Sequence, residues 1–272
     1  MSKRERAQRL ERFSLRHGAM KRLVVFTVLV AIACMRGAIT VPLPSAGKPP
    51  RQGPSYAGFD KRDFPGLQSM QVWYATSPYE WVGYYLPSPC YTGAAWTGNR
   101  AALIQQGWGL AVLYVGAQAS PRCPTDVASA SQGTIDADDA ISVATSDGFP
   151  EGTTIFLDVE RADPYPPELD AYVRAWAARV LTKKFTPGVY AHRTNAQTLY
   201  ESLTAIYSAA NDVRQPPMWI ANSTGFDLTK RPEDSGFPFA SVWQYPSDAS
   251  ETYGGITFRI DRNIALMRSP SG

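Results

Sequence analysis

Eight short apolar runs constrain this chain more than any other feature. They fall at 56–60, 81–86, 110–116, 153–160, 188–192, 218–222, 241–245 and 258–264. Two of them, LAVLYVG at 110–116 and TTIFLDVE at 153–160, are almost unbroken, which is the pattern of strands covered on both faces of a sheet. Helical patterns lie between the early runs, at 98–106, 135–146, 168–183 and 195–209. In the third, Leu169, Tyr172, Val173, Trp176 and Val180 recur at helical spacing. Strands alternating with helices build parallel sheets, and eight of them close a (β/α)8-type barrel. The last intervals, 223–240 and 246–257, are rich in Gly, Pro, Asp and Ser and have no helical period. The expectation is an α/β, TIM-like barrel that keeps its helices early and loses them late. A doubly wound open sheet is the competing fold, and no glycine-rich phosphate loop supports it.

The barrel occupies residues 55–272, and a different kind of segment precedes it. Residues 23–35 read LVVFTVLVAIACM, thirteen positions without a charge between Lys21-Arg22 and Arg36. That is short for a membrane span of about 20 residues and fits the core of a signal peptide. Residues 1–40 are therefore expected to be a leader. It would use the general secretory route, because no Arg-Arg pair stands in a twin-arginine context. Met20 is an alternative start that would make the leader compact. Ala31-Ile32-Ala33 offers a cleavage site that would leave Cys34 first. Lipid attachment there is the lesser reading, since the usual Leu three positions before the Cys is missing. Residues 41–54 (VPLPSAGKPPRQGP) read as a linker.

Charge and cysteine usage agree with export. Residues 1–51 hold 11 of the 27 bases and 2 of the 24 acids, which leaves 16 bases against 22 acids in the remainder. An acidic body argues against nucleic acid as the partner. Beyond the leader the cysteines are Cys90 and Cys123, each in a Pro-bearing loop. In an exported chain such a pair is expected to form a disulfide, two free thiols being the alternative. Two Cys and one His do not make a zinc ligand set, so no metal is expected and no organic cofactor is implied.

Carboxylates at strand ends carry the chemistry in barrels of this kind. Asp60 ends the first run, Asp158 and Glu160 end the fourth, and Asp261 lies in the eighth. Asp158 and Glu160 are two apart on a strand, so they share a face, about 6–7 Å apart on the strand rise. Two carboxyls at such a spacing suit glycosidic bond cleavage, one as acid and one as nucleophile or stabiliser. Crowding them in a barrel mouth is expected to raise the pKa of at least one. Aromatic residues beside the strand ends, Tyr114, Tyr190, Trp219, Trp243 and Tyr245, could stack on sugar faces, with core packing as the alternative for each. Asn222 and Gln244 could bond sugar hydroxyls, and His192 could line the mouth. No G-x-S-x-G, H-E-x-x-H, Walker loop or dinucleotide fingerprint is present.

Taken together, YAGFD at 56–60, WVGYYL at 81–86, GWGLAVLYVG at 107–116, TIFLDVE at 154–160, GVYAH at 188–192, MWIAN at 218–222, VWQY at 242–245 and FRIDRNIA at 258–265 resemble, in order, the family-25 glycoside hydrolase lysozymes. They are more similar still to the Rv2525c-like glycoside-hydrolase-like domain. The resemblance covers about residues 55–268. It implies a barrel of the (β/α)5β3 kind and a site facing cell-wall polysaccharide, with no nucleic acid partner and no membrane span once the leader is removed. It sets no oligomeric state. Carried over by position, Glu160 would be the general acid. Asp158 would orient the 2-acetamido group or stabilise the charged intermediate, and Asp60 and Asp261 would complete an acidic floor. The chain departs from the lysozymes at Lys61-Arg62-Asp63, where small polar residues are usual. A glycan-binding protein without turnover is the second reading, and an amidase or peptidase on a similar barrel is the third.

Overall fold

In a computed structural model the described residues are 48–49, 51–89, 91, 95–121, 123–124 and 127–272. The expected leader, Cys34, most of the linker and Cys90 lie outside them. Eight strands close on one another in sequence order: β1 (Tyr56–Asp60), β2 (Trp81–Leu86), β3 (Gly109–Val115), β4 (Thr154–Val159), β5 (Thr186–His192), β6 (Met218–Ala221), β7 (Val242–Tyr253) and β8 (Ile256–Ala265). Neighbours from β1 to β7 are parallel, and β8 runs antiparallel to both β7 and β1. Helices α1 (Leu67–Thr76), α2 (Arg100–Gln106), α3 (Ala130–Ser146), α4 (Pro167–Thr182) and α5 (Ala196–Ala209) follow the first five strands. The β6–β7 connection has only a 3-10 turn at Pro232–Ser235. This is the (β/α)5β3 architecture.

Alternation along the strands sorts side chains into two cores. Trp81, Ala111, Leu113, Phe156, Trp219, Val242 and Ala265 fill the barrel interior beneath Tyr85 and Tyr190. The opposite parity, including Phe59, Val82, Tyr84, Val112, Leu157 and Val189, packs outward under the helices. Gly58 belongs to the interior, where a Cβ would stand 2.1 Å from the Trp81 ring. The missing side chain lets the indole cross the barrel and meet Trp219 edge-on at 5.5 Å between centroids. Outside, α3 and α4 approach so closely that a Cβ on Gly133 would lie 2.3 Å from the Tyr172 carbonyl oxygen. Among the described residues no helix is long and apolar enough to cross a membrane.

Two elements depart from the sequence expectations. Helix α1 carries no clear apolar period. It buries Met70 and Trp73 only, one turn apart, and its start has no side-chain cap. Residues 246–257 show no regular period in the sequence, yet β7 continues to Tyr253 and pairs back through β8 as a hairpin arm beyond the barrel. Gly254 and Gly255, both at positive φ (56° and 79°), form its two-residue turn. Pairing slips between Tyr245 and Ala249. There the Asp261 Oδ1 accepts hydrogen bonds from the N–H groups of Ser247 and Asp248, both at 2.8 Å.

Candidate active site

The parallel strands all end at one mouth, and inward parity decides what they present there. Register aligns Asp60 with Asp261, Asp158 with Tyr190, and Gln244 with Asn263. These six and Tyr85 form a polar layer on top of the Trp81–Phe156–Trp219 layer. Because β8 runs backwards, Asp261 reaches this layer from mid-strand rather than from a strand end.

Asp60 is buried, and three donors fill its carboxylate. The Tyr85 hydroxyl donates to Oδ1 at 2.7 Å, and the Gln244 and Asn263 side-chain amides donate to Oδ2 at 2.7 and 2.8 Å. Burial, reinforced by the nearby Asp261 charge, pushes its pKa up to about 6 against the pull of those three bonds. Asp261 is shifted upward too, chiefly by burial, while its backbone donors oppose the shift. The network runs on, because the Tyr190 hydroxyl donates to Gln244 Oε1 at 2.8 Å. Tyr190 is held well above its ordinary pKa by burial first and then by the charges of Asp158, Glu160, Asp60 and Asp261. One phenol thus sits in the field of all four carboxylates, which converge on the same mouth.

Asp158 is buried at the end of β4, and Glu160, just past the strand, is exposed. Two side-chain amides staple the backbone here. Gln118 donates from Nε2 to the Asp158 carbonyl (2.8 Å) and accepts the Glu160 N–H (2.9 Å). Asn195 accepts the Ala162 N–H (3.0 Å) and donates to the Ala162 carbonyl (2.8 Å). Neither residue stands out in the sequence, since each is a lone amide at the edge of a loop.

Beside the mouth a cleft of about 490 Å³ opens between residues 61–63 and the β7–β8 arm, lined by Asp60, Tyr85, Asp261 and Arg259 among others. The cations that distinguish this chain are occupied within it. Lys61 donates to the Asp63 carbonyl, and Arg62 lies over the Tyr91 ring at 5.2 Å. Among the described residues no group of three or more His, Cys, Asp or Glu is arranged to hold a metal ion.

The aromatic and amide candidates divide by parity. Tyr190 and Gln244 belong to the mouth, and His192 ends β5 half-buried. Burial and the charges of Arg161 and Arg193 lower the His192 pKa. Trp219 is fully buried one layer down, its indole N–H on Asn263 Oδ1 at 2.9 Å, so it supports the floor and offers no face to a sugar. Tyr114 turns outward, fully buried, and its hydroxyl donates to Asp139 of α3 at 2.8 Å. Trp243 also turns outward, fully buried against Phe226, with its indole N–H on the Asn222 carbonyl at 2.6 Å. The Asn222 side chain is spent on the Ser235 carbonyl and the Thr224 N–H. Sugar contact is therefore closed to Tyr114, Trp243 and Asn222. Tyr245 is half-buried and stacks on Phe226 at 5.6 Å.

The profile of the Rv2525c-like, glycoside hydrolase-like domain matches residues 71–265. An uncharacterized B. stearothermophilus protein superposes with a TM-score of 0.53 at 21% identity, over 78% of this chain and 98% of that one. The Mycobacterium tuberculosis Tat-secreted protein Rv2525c, solved with HEPES, gives 0.51 at 18% identity, over 79% and 96%. The Clostridium perfringens spore cortex lytic enzyme SleM gives 0.53 at 15% identity, over 81% and 70%. At these identities the likeness is one of fold. No curated protein matches the chain. With the profile spanning the barrel from α1 to the end of β8, this chain belongs to the Rv2525c-like glycoside hydrolase-like domain family.

Proposed function

We propose that this protein is an exported glycosidase acting on peptidoglycan or a related cell-envelope glycan by carboxylate catalysis. The observation that carries the reading is the strand register that aligns Asp60 with Asp261 and Asp158 with Tyr190 at one barrel mouth, with Glu160 just past the end of β4. Glu160 is the solvent-reaching carboxyl of the four and takes the role of general acid toward the glycosidic oxygen. Asp158, buried two residues before it at the end of β4, orients the acetamido group or stabilises positive charge at the anomeric carbon. Asp60 and Asp261 keep the floor acidic, Tyr190 offers its half-buried phenol to the sugar, and Gln244 braces the floor between Tyr190 and Asp60. The family's glycoside hydrolase-like character and the lytic activity in the name of the fold relative SleM support the substrate class.

Export through a leader at 1–40 belongs to the same reading, as does a Cys90–Cys123 disulfide. A second reading, glycan binding without turnover, is favoured by one observation. Asp60 is filled by internal donors and Asp261 by two backbone amides, so half of the carboxylates already hold the protein together. The two separate on incubation with purified peptidoglycan and mass spectrometry for new reducing ends. The glycosidase yields them and its Glu160→Gln variant does not. A protein that sediments with cell wall and releases nothing is the binding form.

A further inference from the structure

We propose that Gln118 is a positioning residue for Asp158 and Glu160, acting as a surrogate strand residue where the sheet runs out; this rests on the glycosidase reading above. The β3–β4 ladder ends at the pair Val115 and Asp158. Past that point the ladder has no further pair, and the chain runs on through Val159 to Glu160 beyond it. In a parallel ladder, a residue donates its N–H to the carbonyl before its partner and accepts the N–H of the residue after it. The Gln118 side chain reproduces both bonds around Val159. Its Nε2 donates to the Asp158 carbonyl at 2.8 Å, and its Oε1 accepts the Glu160 N–H at 2.9 Å.

A further bond from Nε2 to the Gly116 carbonyl, at 3.1 Å, ties the amide to its own loop. Gln118 is 5% exposed, so these bonds replace water rather than compete with it. No other side chain supplies both at this reach. Glu keeps the acceptor and loses the donor, Leu keeps the volume and loses both, and Asn is one methylene short. Holding the peptide on each side of Val159 sets the direction in which Asp158 and Glu160 leave the strand end. Small errors in such a placement slow chemistry far more than they weaken binding, by up to about 10²-fold for 1 Å.

The test measures kcat and KM on purified peptidoglycan, and melting temperature, for the full chain and for Gln118→Leu and Gln118→Glu. The expected result is a fall in kcat of about 10-fold or more in both variants with KM within about 3-fold of wild type. A purely structural Gln118 would lower the melting temperature and leave kcat of the folded fraction unchanged, which overturns the proposal. Should the Leu variant fail to fold, the Glu variant, which retains the acceptor for the Glu160 N–H, decides the question by the same kcat criterion. An active wild type with unaffected variants refutes the positioning role alone. A wild type that neither cleaves peptidoglycan nor binds an N-acetylglucosamine tetramer refutes the glycosidase reading and this role with it. A wild type that binds the tetramer without cleaving peptidoglycan likewise refutes the glycosidase reading, and with it a role defined by kcat.

Discussion

Replacing Asp60 by Asn will remove a pH dependence of stability that the wild-type barrel carries between pH 4 and 7. The Asp60 carboxyl has an ordinary pKa of 3.8 and one of about 6 in the fold, because burial and the Asp261 charge disfavour its ionised form. The folded protein therefore holds this proton to higher pH than the unfolded chain. The stabilisation is fully present below about pH 4 and is lost as pH rises through 6. The difference between those two values corresponds to roughly 3 kcal/mol. Asparagine suits the site: its carbonyl can accept from Gln244 and Asn263, and its NH2 can face the Tyr85 oxygen. The assay is urea unfolding followed by tryptophan fluorescence at unit pH intervals from 4 to 8, for both proteins. The free energy of wild type minus variant should fall by on the order of 3 kcal/mol from pH 4 to 7 and stay level above. A difference that is flat, or that rises with pH, would refute the assignment of Asp60 as a carboxyl destabilised by burial.

Two packing predictions follow from the interior. Trp219→Ala removes a fully buried indole that touches Trp81, Phe156 and Tyr190 and bonds Asn263, and should cost about 3–5 kcal/mol in thermal or chemical unfolding. Gly58→Ala drives a methyl into the Trp81 ring and should cost about 1–3 kcal/mol in the same measurement, with a change in near-ultraviolet circular dichroism from the displaced indole.

What the sequence disclosed follows the physics of each element. The runs at 110–116 and 153–160 were legible because a strand buried on both faces must be apolar throughout, and they became β3 and β4 with their ends moved by a residue. The β7–β8 arm was not, because beyond the barrel it faces water along much of its length and carries no apolar signature. Its one signal was the Gly254-Gly255 pair between Tyr253 and Ile256, the local chemistry of a tight hairpin. The mouth was half legible. Strand position places a residue at the rim, but only register says which face it takes. Tyr190 aligns with Asp158 and points in, whereas Tyr114 aligns with Leu157 and points out. Gln118 and Asn195 escaped because a lone amide in a loop becomes informative only when the backbone it reaches is known.

The most direct test is crystallographic: the Glu160→Gln variant soaked with a peptidoglycan-derived tetrasaccharide. The account predicts sugar rings across the mouth beside Tyr190, with a glycosidic oxygen within hydrogen-bonding distance, about 2.6–3.2 Å, of the side chain at position 160. A glycan bound elsewhere on the barrel, or lying in the mouth with every glycosidic oxygen out of reach of position 160, would contradict it.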